Sequence, residues 1–327
     1  MRALITGAAG FVGSHLAEFL IEHTDWHLDL MLRSFRSPLD NLVNLIRHER
    51  VRFLYADLRD DSAVRSAVLK CRPDYVFHLA AQSFPQESFR SPCATLEVNV
   101  QGTVRLLEAL KGSPALIHVC SSSEVYGRVP KERLPIREDC PFHPASPYAI
   151  SKVGTDLIAR HYHEAYGMNI MVTRMFTHTG PRRGDVFAES SFAKQIAMIE
   201  AGMIPPVIKH GNLDSMRTIA DVRDAVRAYY MLLTVNPKPG EVYNIGGSTS
   251  MTVGHIMRCL MAETAAVNSS EPDQERMRPI DADNQVPDCT KFKEHTGWEP
   301  KIPFAQTMHD LLHYWRDRVR RYPTVQR

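Results

Sequence analysis

The chain has 327 residues, of which 44% are hydrophobic and 23% charged, and its formal net charge at pH 7 is +2. This composition is typical of a globular protein whose core is large enough to fold without disulfides or a structural metal. The near balance of charge argues against a nucleic-acid-binding protein. The basic segment Arg316–Arg321 predicts a solvated helix face, with nucleic-acid binding as a minor alternative.

The N-terminus and the cysteines bear on the cellular compartment. Residues 1–11 read MRALITGAAGF, which lacks the apolar region and the cleavage site of a signal peptide. No apolar run reaches the roughly 18 residues of a membrane-spanning helix. The six cysteines lack the spacing of a zinc or redox motif. We therefore expect reduced thiols, no metal site, no membrane partner and a cytoplasmic location.

In the first half of the chain, short apolar segments alternate with amphipathic helices. This alternation predicts βαβ units and an α/β fold with a doubly wound parallel sheet. The predicted strands are Ala3–Thr6, Leu28–Leu32, Val51–Ala56, Tyr75–Leu79, Leu116–Cys120 and Ile170–Phe176. The predicted helices between them are Val12–His23, Ser62–Lys70, Ala94–Lys111 and Pro147–Tyr166.

After residue 177 the loops become longer and richer in proline. Helices are predicted at Ser190–Ala201, Asp221–Leu233, Val253–Thr264 and Phe304–Arg321. We expect a smaller C-terminal domain over the carboxyl ends of the strands, where open α/β sheets bind their ligands. The Asp221–Leu233 helix and a strand at Val242–Ile245 are expected to return to the main sheet, so that the two domains interleave.

A glycine-rich turn follows the first predicted strand, in the segment ALITGAAGFVGSHL. Gly7 allows a tight turn, Gly10 lets the backbone approach a pyrophosphate, and Gly13 lets the next helix pack close to the strand. Together with Phe11 and Val12, these glycines predict a dinucleotide site instead of a purely structural turn. With the pattern of elements above, this site predicts a Rossmann-like domain over residues 1–176, to which residues 212–247 return. Residues 177–211 and 248–327 are predicted to form a substrate domain.

The end of the second strand distinguishes NADP from NAD. An acidic residue there binds the ribose 2′-hydroxyl of NAD, whereas arginine accommodates the 2′-phosphate of NADP. Here Asp29 lies earlier, within the strand, and the tip carries Arg33, Ser34 and Arg36. These residues favour NADP over NAD, although they could be ordinary surface residues.

Tyr148 and Lys152 are one turn apart on a predicted helix, so both side chains lie on one face. A nearby ammonium lowers the pKa of a phenol, which can then take a proton from a sugar hydroxyl as hydride leaves the same carbon. A carboxylate, Glu124, follows three serines at the end of the fifth predicted strand. These residue types predict proton and hydride transfer on an alcohol.

The Gly-x-x-Gly-x-x-Gly spacing, the Tyr-x-x-x-Lys pair and the serines resemble the short-chain dehydrogenase/reductases of the extended, sugar-nucleotide kind. The resemblance implies that Ser122, Tyr148 and Lys152 form the catalytic triad. It also implies cofactor contacts for Asp57, Leu58, Leu79, Ala80, Ala81 and Asn99. Asp57 could instead cap a helix, and Asn99 could be a buried polar residue satisfied by backbone.

Within that family, Ser121–Glu124, the segment Ala81-Gln82-Ser83 and the loop Pro181-Arg182-Arg183-Gly184 resemble GDP-mannose 4,6-dehydratases. In these enzymes the carboxylate at the position of Glu124 removes the C5 proton and helps to expel the C6 hydroxyl. Their arginine loop helps to bind NADP and contacts neighbouring subunits, which implies a homodimer or homotetramer. An ion-paired surface role is the alternative for Glu124.

The resemblance also implies a site for a GDP-linked sugar nucleotide. Its predicted residues are Ser83, Ser123, Glu124, Thr177, Lys194, Arg217 and Arg278. The three cations among them suit phosphate, but each could form a surface ion pair instead. Thr177 stands where these dehydratases usually have asparagine, which leaves the sugar open between GDP-mannose and GDP-manno-heptose.

The segment Ser191–Gln195 resembles GDP-4-keto-6-deoxymannose reductases, which also carry a glutamate at the position of Glu124. The arginine loop favours the dehydratase, which would convert its sugar to the 4-keto-6-deoxy form without net change in NADP. A reductase or 4-epimerase of the same family is the alternative, and a non-catalytic NADP sensor is a minor one. His78, His118 and His178 lack metal-site spacing and are interpreted as core or rim residues.

Overall fold

The computed structural model describes residues 1–277 and 284–322. The first half of the chain contributes six parallel strands: β1 (Arg2–Thr6), β2 (His27–Leu32), β3 (Val51–Tyr55), β4 (Tyr75–His78), β5 (Leu116–Cys120) and β6 (Ile170–Met175). They run side by side in the order β3-β2-β1-β4-β5-β6. All six strands were predicted, and each observed end lies within one residue of its predicted position. The predicted α/β fold is confirmed.

The helices of this half are α1 (Phe11–His23), α2 (Asp61–Cys71), α3 (Pro85–Arg90), α4 (Pro92–Leu96), α5 (Gly102–Leu110) and α6 (Pro147–Tyr166). The prediction of a single helix at Ala94–Lys111 is wrong, because this segment forms two helices. A π-helical turn at Glu97–Gln101 separates α4 from α5. At this turn the Asn99 carbonyl accepts hydrogen bonds from the hydroxyls of Thr103 and Thr155, at 2.6 and 3.1 Å.

The second half adds short strands and five helices. In chain order they are β7 (His178–Thr179), α7 (Ala188–Glu200), β8 (Val207–His210), β9 (Met216–Thr218), β10 (Ala220–Asp221), α8 (Val222–Thr234), β11 (Val242–Ile245), β12 (Ser250–Thr252), α9 (Val253–Met261), β13 (Ser269–Pro272), β14 (Asn284–Gln285), α10 (Thr290–Thr296) and α11 (Phe304–Arg321). β11 pairs in parallel with β6 and makes the main sheet seven-stranded. The remaining strands form small sheets of two or three strands.

Three of the four hydrophobic clusters among the described residues hold these layers together. One lies between the sheet and the α1–α8 pair, and includes Leu16, Leu20 and Leu233. A second, with Leu106 and Ala159, packs α2, α5 and α6 on the opposite face. The third lies among α7, α9 and α11 in the C-terminal region. Since α8 and β11 belong to the main sheet layers, the chain returns there as expected, while the domain boundaries stay a prediction.

Over residues 1–277 and 284–322, no helix combines the length and the apolar character needed to cross a membrane. The basic segment Arg316–Arg321 forms the end of α11. Its first residue, Arg316, is ion-paired with Glu200 of α7 at 2.7 Å. This segment therefore helps to fasten α11 to its neighbour.

Candidate active site

The glycine turn lies at the carboxyl end of β1, tightly packed against the end of β4. Gly7 has a positive φ of 70°, and a Cβ atom there would lie 2.8 Å from the Ala80 Cα. A Cβ on Gly13 would lie 2.4 Å from the Gly7 carbonyl oxygen. The Thr6 hydroxyl accepts the amide protons of Leu79 and Ala80, both at 3.1 Å. A side chain at Gly7 would therefore push the turn away from the end of β4, and one at Gly13 would push the first helix away from the turn.

The amino end of α1 opens on the same side. Among the described residues, no side chain caps this helix, and its first turn carries no acidic residue. Its free amides and the positive end of its dipole suit a pyrophosphate group. Phe11, in this first turn, stacks on the His178 ring at 5.7 Å. The turn thus has the shape and polarity that the dinucleotide prediction requires.

The adenosine end of this site would lie beyond β2 and β3. Arg33 and Arg36 are exposed, and the Arg36 amide donates to the Ser34 hydroxyl at 3.2 Å. Asp29 is fully buried within β2 and pairs with Arg2 at 3.2 Å, so its carboxylate does not reach the tip of the strand. The absence of an acid at the tip of β2, among the described residues, agrees with the predicted preference for NADP.

Asp57 follows β3 on the same edge. Its carboxylate accepts hydrogen bonds from Arg59, at 2.7 Å, which lowers the pKa of that carboxyl, and Arg33 lowers it further. The alternative of a helix cap falls to Asp60, whose side chain accepts the Ala63 amide at 3.0 Å. Leu58 is buried and would touch a Cβ on Gly102 at 2.8 Å.

Helix α6 places Tyr148 and Lys152 beside the carboxyl end of β5, and this edge of the sheet, from the glycine turn to α6, is called the first cleft. Ser146 caps the helix by accepting the Ala149 amide at 3.0 Å. Tyr148 and Lys152 are 9% and 6% exposed, so both polar groups are largely shielded from water. The Tyr148 hydroxyl is hydrogen-bonded to Ser122, and the Lys152 ammonium donates to the Cys120 carbonyl at 2.7 Å. The three predicted triad residues therefore meet at the end of β5.

The electrostatics of this group differ from the sequence-based expectation. Burial raises the pKa of Tyr148 well above that of an ordinary phenol, and the Glu124 charge raises it further. The Ser122 hydrogen bond and the positive charge of Arg183 lower it. Burial lowers the pKa of Lys152. Arg183 is thus a cation that acts on the phenol, while the Lys152 ammonium donates to the Cys120 carbonyl beside it.

Glu124 lies on a short 3₁₀ helix, Ser123–Tyr126, that follows β5 directly. Ser122 caps this helix by accepting the Glu124 amide at 3.2 Å. Glu124 is partly buried, and its carboxylate is close enough to the Tyr148 hydroxyl to act on its pKa. Ser123 is buried. The structure therefore brings the predicted carboxylate, the tyrosine and the serine into one cleft.

The arginine loop folds back onto α1. The His15 ring nitrogen Nε2 donates to the Pro181 carbonyl at 2.9 Å. Arg182 has a positive φ of 73° and pairs with Glu18 at 2.8 Å. Arg183 lies 3.3 Å above the Phe187 ring centroid. The loop thereby closes the side of the cleft that faces the glycine turn.

Two groups near Phe11, Arg183 and His178, were not predicted as site residues of their own. Arg183 is paired with Glu189 at 3.4 Å and was considered only as part of its loop. His178 was interpreted as a core or rim residue. Its Nδ1 donates to the Phe176 carbonyl at 3.1 Å, whereas Nε2 has no hydrogen-bond partner among the described residues. Burial lowers the pKa of His178 to about 3, so Nε2 is a neutral acceptor beside Phe11.

A second cleft lies in the C-terminal region, between α7, β8 and β13. Its volume is about 470 Å³, and its lining includes Lys194, Ser191, Lys209, Glu271 and Arg276. Lys194 pairs with Asp185 at 2.7 Å and lies 5.6 Å from the Trp315 ring centroid. The Trp315 indole donates to the Ser190 hydroxyl at 2.8 Å, and that hydroxyl donates to the Arg183 carbonyl at 2.7 Å. Hydrogen bonds through Trp315 and Ser190 therefore connect the second cleft to the arginine loop.

The other predicted substrate residues are spread more widely. Arg217 lies on β9, where its guanidinium donates to the Met216 carbonyl at 2.9 Å. Arg278 falls outside the described residues, and Arg276, which was not predicted, lines the second cleft. Ser83 is exposed beyond β4. Thr177 is partly buried beyond β6, and its carbonyl accepts the Ala220 amide at 3.0 Å.

Asn99, predicted to face the cofactor, is engaged inside the protein. Its side-chain oxygen accepts the Gln82 amide at 2.8 Å. Its side-chain nitrogen donates to the Gln82 carbonyl at 3.0 Å and to the Ser151 hydroxyl at 2.8 Å. Asn99 therefore fastens the loop after β4 to α6, as the backbone-satisfied alternative requires, and its cofactor contact stays a prediction.

Comparison with known proteins places these features in context. Residues 4–311 match the family model of GDP-mannose 4,6 dehydratase. The GDP-6-deoxy-D-mannose reductase of Pseudomonas aeruginosa is 32% identical, with 98% of each chain covered. The GDP-mannose 4,6-dehydratase of Yersinia enterocolitica is also 32% identical, over 95% of this chain and 92% of the relative. The structure of RMD from P. aeruginosa, complexed with NADPH, superposes with a TM-score of 0.82 at 32% identity, covering 97% and 99% of the chains.

Proposed function

The chain belongs to the GDP-mannose 4,6-dehydratase family, and from this premise we propose that it removes water from a GDP-linked mannose-type sugar, using NADP, to give the 4-keto-6-deoxy sugar. The observation that carries the proposal is the placement of Glu124, whose amide donates to the Ser122 hydroxyl at 3.2 Å, while Ser122 is hydrogen-bonded to the Tyr148 hydroxyl. The arginine loop favours the dehydratase over the reductases, which also carry this glutamate. Oxidation of an alcohol needs only the tyrosine and its cations. Elimination of water needs an additional acid and base on the same ring, and a carboxylate can serve as both.

NADP fits the first cleft. The glycine turn and the free amides of α1 suit its pyrophosphate, and Arg33, Ser34 and Arg36 suit its 2′-phosphate. The related structure complexed with NADPH supports the same choice. When bound, the cofactor would accept hydride from C4 of the sugar and return it to C6, so that its redox state would not change over a cycle.

The residues of the chain would handle the protons. Tyr148 takes the proton of the 4-hydroxyl as the C4–H bond breaks, while Ser122 holds the phenol in place. Glu124 removes the proton from C5 and gives one to the C6 hydroxyl, which leaves as water. The proton taken up by Tyr148 is then delivered to C5, so that the carbonyl at C4 remains in the product and both residues regain their starting protonation states. Lys152 and Arg183 stabilise the negative charge that develops on Tyr148 and the sugar oxygen.

The second cleft suits the nucleotide part of the substrate. Lys194 and Arg276 line it and can neutralise a diphosphate. Its volume of about 470 Å³ lies within the range of roughly 300–1,000 Å³ typical of small-molecule sites. We propose it as the GDP site, with Ser83, Ser123 and Thr177 facing the sugar. Thr177 leaves both a mannose and a manno-heptose as substrates to be tested.

We propose a homodimer as the minimal assembly, with a tetramer open. Leu96 of α4 and Ile150 and Leu157 of α6 are 38%, 51% and 47% exposed, which leaves apolar side chains on the outer face of two neighbouring helices.

The six cysteines, all within the described residues, are unpaired. Reduced thiols support the cytoplasm as the proposed location.

The direct test incubates purified protein with NADP⁺ and GDP-mannose and follows the nucleotide sugar by mass spectrometry. We expect a product lighter by one water and no net formation of NADPH. GDP-manno-heptose is tested in parallel. If neither substrate loses water, the dehydratase assignment is wrong.

A 4-keto reductase is the second candidate. It is favoured by the P. aeruginosa reductase, which matches this chain over 98% of both lengths. A reductase would consume one NADPH for each GDP-4-keto-6-deoxymannose reduced, and the absorbance of NADPH would fall accordingly. A dehydratase would leave that absorbance unchanged with the same compound.

A further inference from the structure

A buried ion pair lies directly behind the catalytic residues. Arg174 of β6 and Asp156 of α6 make two hydrogen bonds, Nε to Oδ2 at 2.8 Å and Nη2 to Oδ1 at 3.1 Å. Their side chains are 3% and 0% exposed. Such a pair costs desolvation energy that its own attraction only partly offsets, so its value can lie in fixing a geometry. Asp156 is one helical turn beyond Lys152, on the helix that also carries Tyr148.

The same guanidinium reaches the segment that carries Glu124. Arg174 Nη1 donates to the Tyr126 hydroxyl at 2.9 Å, and that hydroxyl donates to Asn244 Oδ1 at 2.7 Å. Tyr126 is fully buried and closes the 3₁₀ helix of Glu124, two residues further along the chain. One side chain, Arg174, thus bridges the two elements that hold the tyrosine and the carboxylate.

Further hydrogen bonds close this network on the side of β11. The Asn244 amide donates to the Glu138 carboxylate at 2.8 Å, and its side chain donates to the Ile136 carbonyl at 2.9 Å. Arg174 Nη1 also donates to the Glu138 carbonyl at 2.7 Å. The Arg174 guanidinium, the Asp156 carboxylate and the Tyr126 hydroxyl are all bonded within the protein, so the network has one well-defined arrangement.

We propose that Arg174, Asp156 and Tyr126 are positioning residues that set the separation between the Glu124 carboxylate and the Tyr148 hydroxyl. The inference rests on the proposed dehydration, in which both groups must reach neighbouring atoms of one sugar ring. Tyr148 acts at O4 and is held on α6. Glu124 acts at C5 and is held by Tyr126. A displacement between the two elements slows elimination more than it slows oxidation at C4.

The test removes one hydroxyl. Tyr126→Phe keeps the ring and loses the hydrogen bonds to Arg174 and Asn244. Because a displacement of about 1 Å can cost on the order of 100-fold in rate, we expect turnover to fall about 10- to 100-fold. We expect KM for GDP-mannose and Kd for NADP⁺ to stay near the wild-type values. Absorbance of reduced nicotinamide should build up during turnover, because C4 oxidation continues while elimination is slow.

The matched control is Tyr162→Phe. Its hydroxyl makes a hydrogen bond of the same length, 2.7 Å, to Glu108, and it lies towards the far end of the same helix. This variant should keep wild-type turnover without a build-up of reduced nicotinamide. Arg174→Lys, which keeps the charge beside Asp156 but cannot span both elements, should reproduce the Tyr126→Phe signature.

Each outcome decides the matter. If the wild type dehydrates GDP-mannose and Tyr126→Phe does so at the same rate, the positioning role is wrong. It is equally wrong if Tyr126→Phe loses NADP⁺ affinity and turnover in parallel with stability, as a merely structural residue would. If the wild type releases no water from any GDP-sugar tested, the proposed function fails, and the inference fails with it.

Discussion

At the scale of single residues, the cleft holds ionisable groups in environments that change their proton affinities. Burial raises the pKa of Tyr148, and the charges of Glu124 and Arg183 shift that pKa in opposite directions. In the proposed dehydration, Glu124 is the acid–base group that elimination needs in addition to the tyrosine. Its position was predicted from the sequence because it follows a strand end directly, whereas Arg183 reaches Tyr148 through a loop whose path no local pattern specifies.

Glu124→Gln keeps the shape of the side chain and removes the acid–base function. We expect water loss from GDP-mannose to slow by about 100- to 10,000-fold, the usual contribution of a general acid–base residue. NADP⁺ affinity should not change. Glu164→Gln, an exposed glutamate at the other end of α6, is the control and should behave as wild type. Water loss at the normal rate by the Glu124 variant would refute its role.

Buried histidines make the fold sensitive to acid. Burial lowers the pKa of His15 to about 4, and that of His78 and His118 to about 3, from 6.5 in the unfolded chain. Between these values the unfolded state binds protons that the folded state does not, so stability is full above pH 6.5 and falls as the pH decreases towards 4. Urea unfolding at several pH values measures this slope.

His15→Gln tests the origin of that slope, since a glutamine amide can also donate to the Pro181 carbonyl. In this variant, the number of protons that the unfolded state binds in excess of the folded state should fall by about one over this pH range. His23→Gln, on the exposed end of α1, is the control and should keep the wild-type slope. An unchanged slope for His15→Gln would show that other groups carry the acid sensitivity.

At the scale of elements, the site depends on how helix ends and loops meet the carboxyl edge of the sheet. The amino end of α1 faces the glycine turn, α6 supplies the tyrosine and the lysine, and the arginine loop is fastened to α1 by Arg182. The π-helical turn before α5 was not predicted, because its cause is tertiary. At this turn the Asn99 carbonyl accepts a hydrogen bond from the hydroxyl of Thr155 on α6, which is distant in sequence.

Arg182→Ala tests whether the arginine loop supports the cofactor site. The change removes the ion pair to Glu18 and the hydrogen bond to Ser14 on α1. We expect NADP⁺ to bind about tenfold more weakly, which corresponds to about 1.4 kcal/mol, because the loop no longer closes over the glycine turn. Arg65→Ala, which breaks an exposed ion pair on α2, should leave affinity unaltered in the same fluorescence titration. Equal affinities for both variants would exclude this role.

At the scale of the whole molecule, the strands of the first half and the longer helices of the second half were predicted, whereas most short elements were not. Five of the six first strands are largely buried, which gives apolar segments with clear ends, and β3, an edge strand with Arg52 and Tyr55 exposed, was also identified. In the second half α7, α8, α9, α11 and the strand β11 were predicted. The other strands there, of two to four residues, and the six- and seven-residue helices α3 and α10 are too short for a periodic pattern. The second cleft brings together segments that are distant in sequence. Lys194 was therefore predicted only from the family resemblance, and Arg276 was not predicted.

The outer face of α4 and α6 is where subunits are proposed to meet. Leu157→Glu places a charge on that face without touching the cleft, because Leu157 is 47% exposed. We expect the dimer to dissociate to monomers at micromolar concentration, as measured by sedimentation. Leu69→Glu, at an exposed leucine on α2, is the control and should keep the assembly of the wild type. A Leu157 variant that sediments like wild type would place the interface elsewhere.

Trp315 has an optical consequence. Trp26 and Trp298 belong to the core cluster beside the main sheet. The Trp315 ring lies 5.6 Å from the Lys194 ammonium, and its indole N–H donates to the Ser190 hydroxyl, which is bonded to the arginine loop. A guanosine diphosphate bound in the second cleft would neutralise Lys194 and change the electric field across this indole. The emission of the native protein should therefore shift as nucleotides are added, and it can rank GDP, UDP and dTDP before any sugar has been turned over.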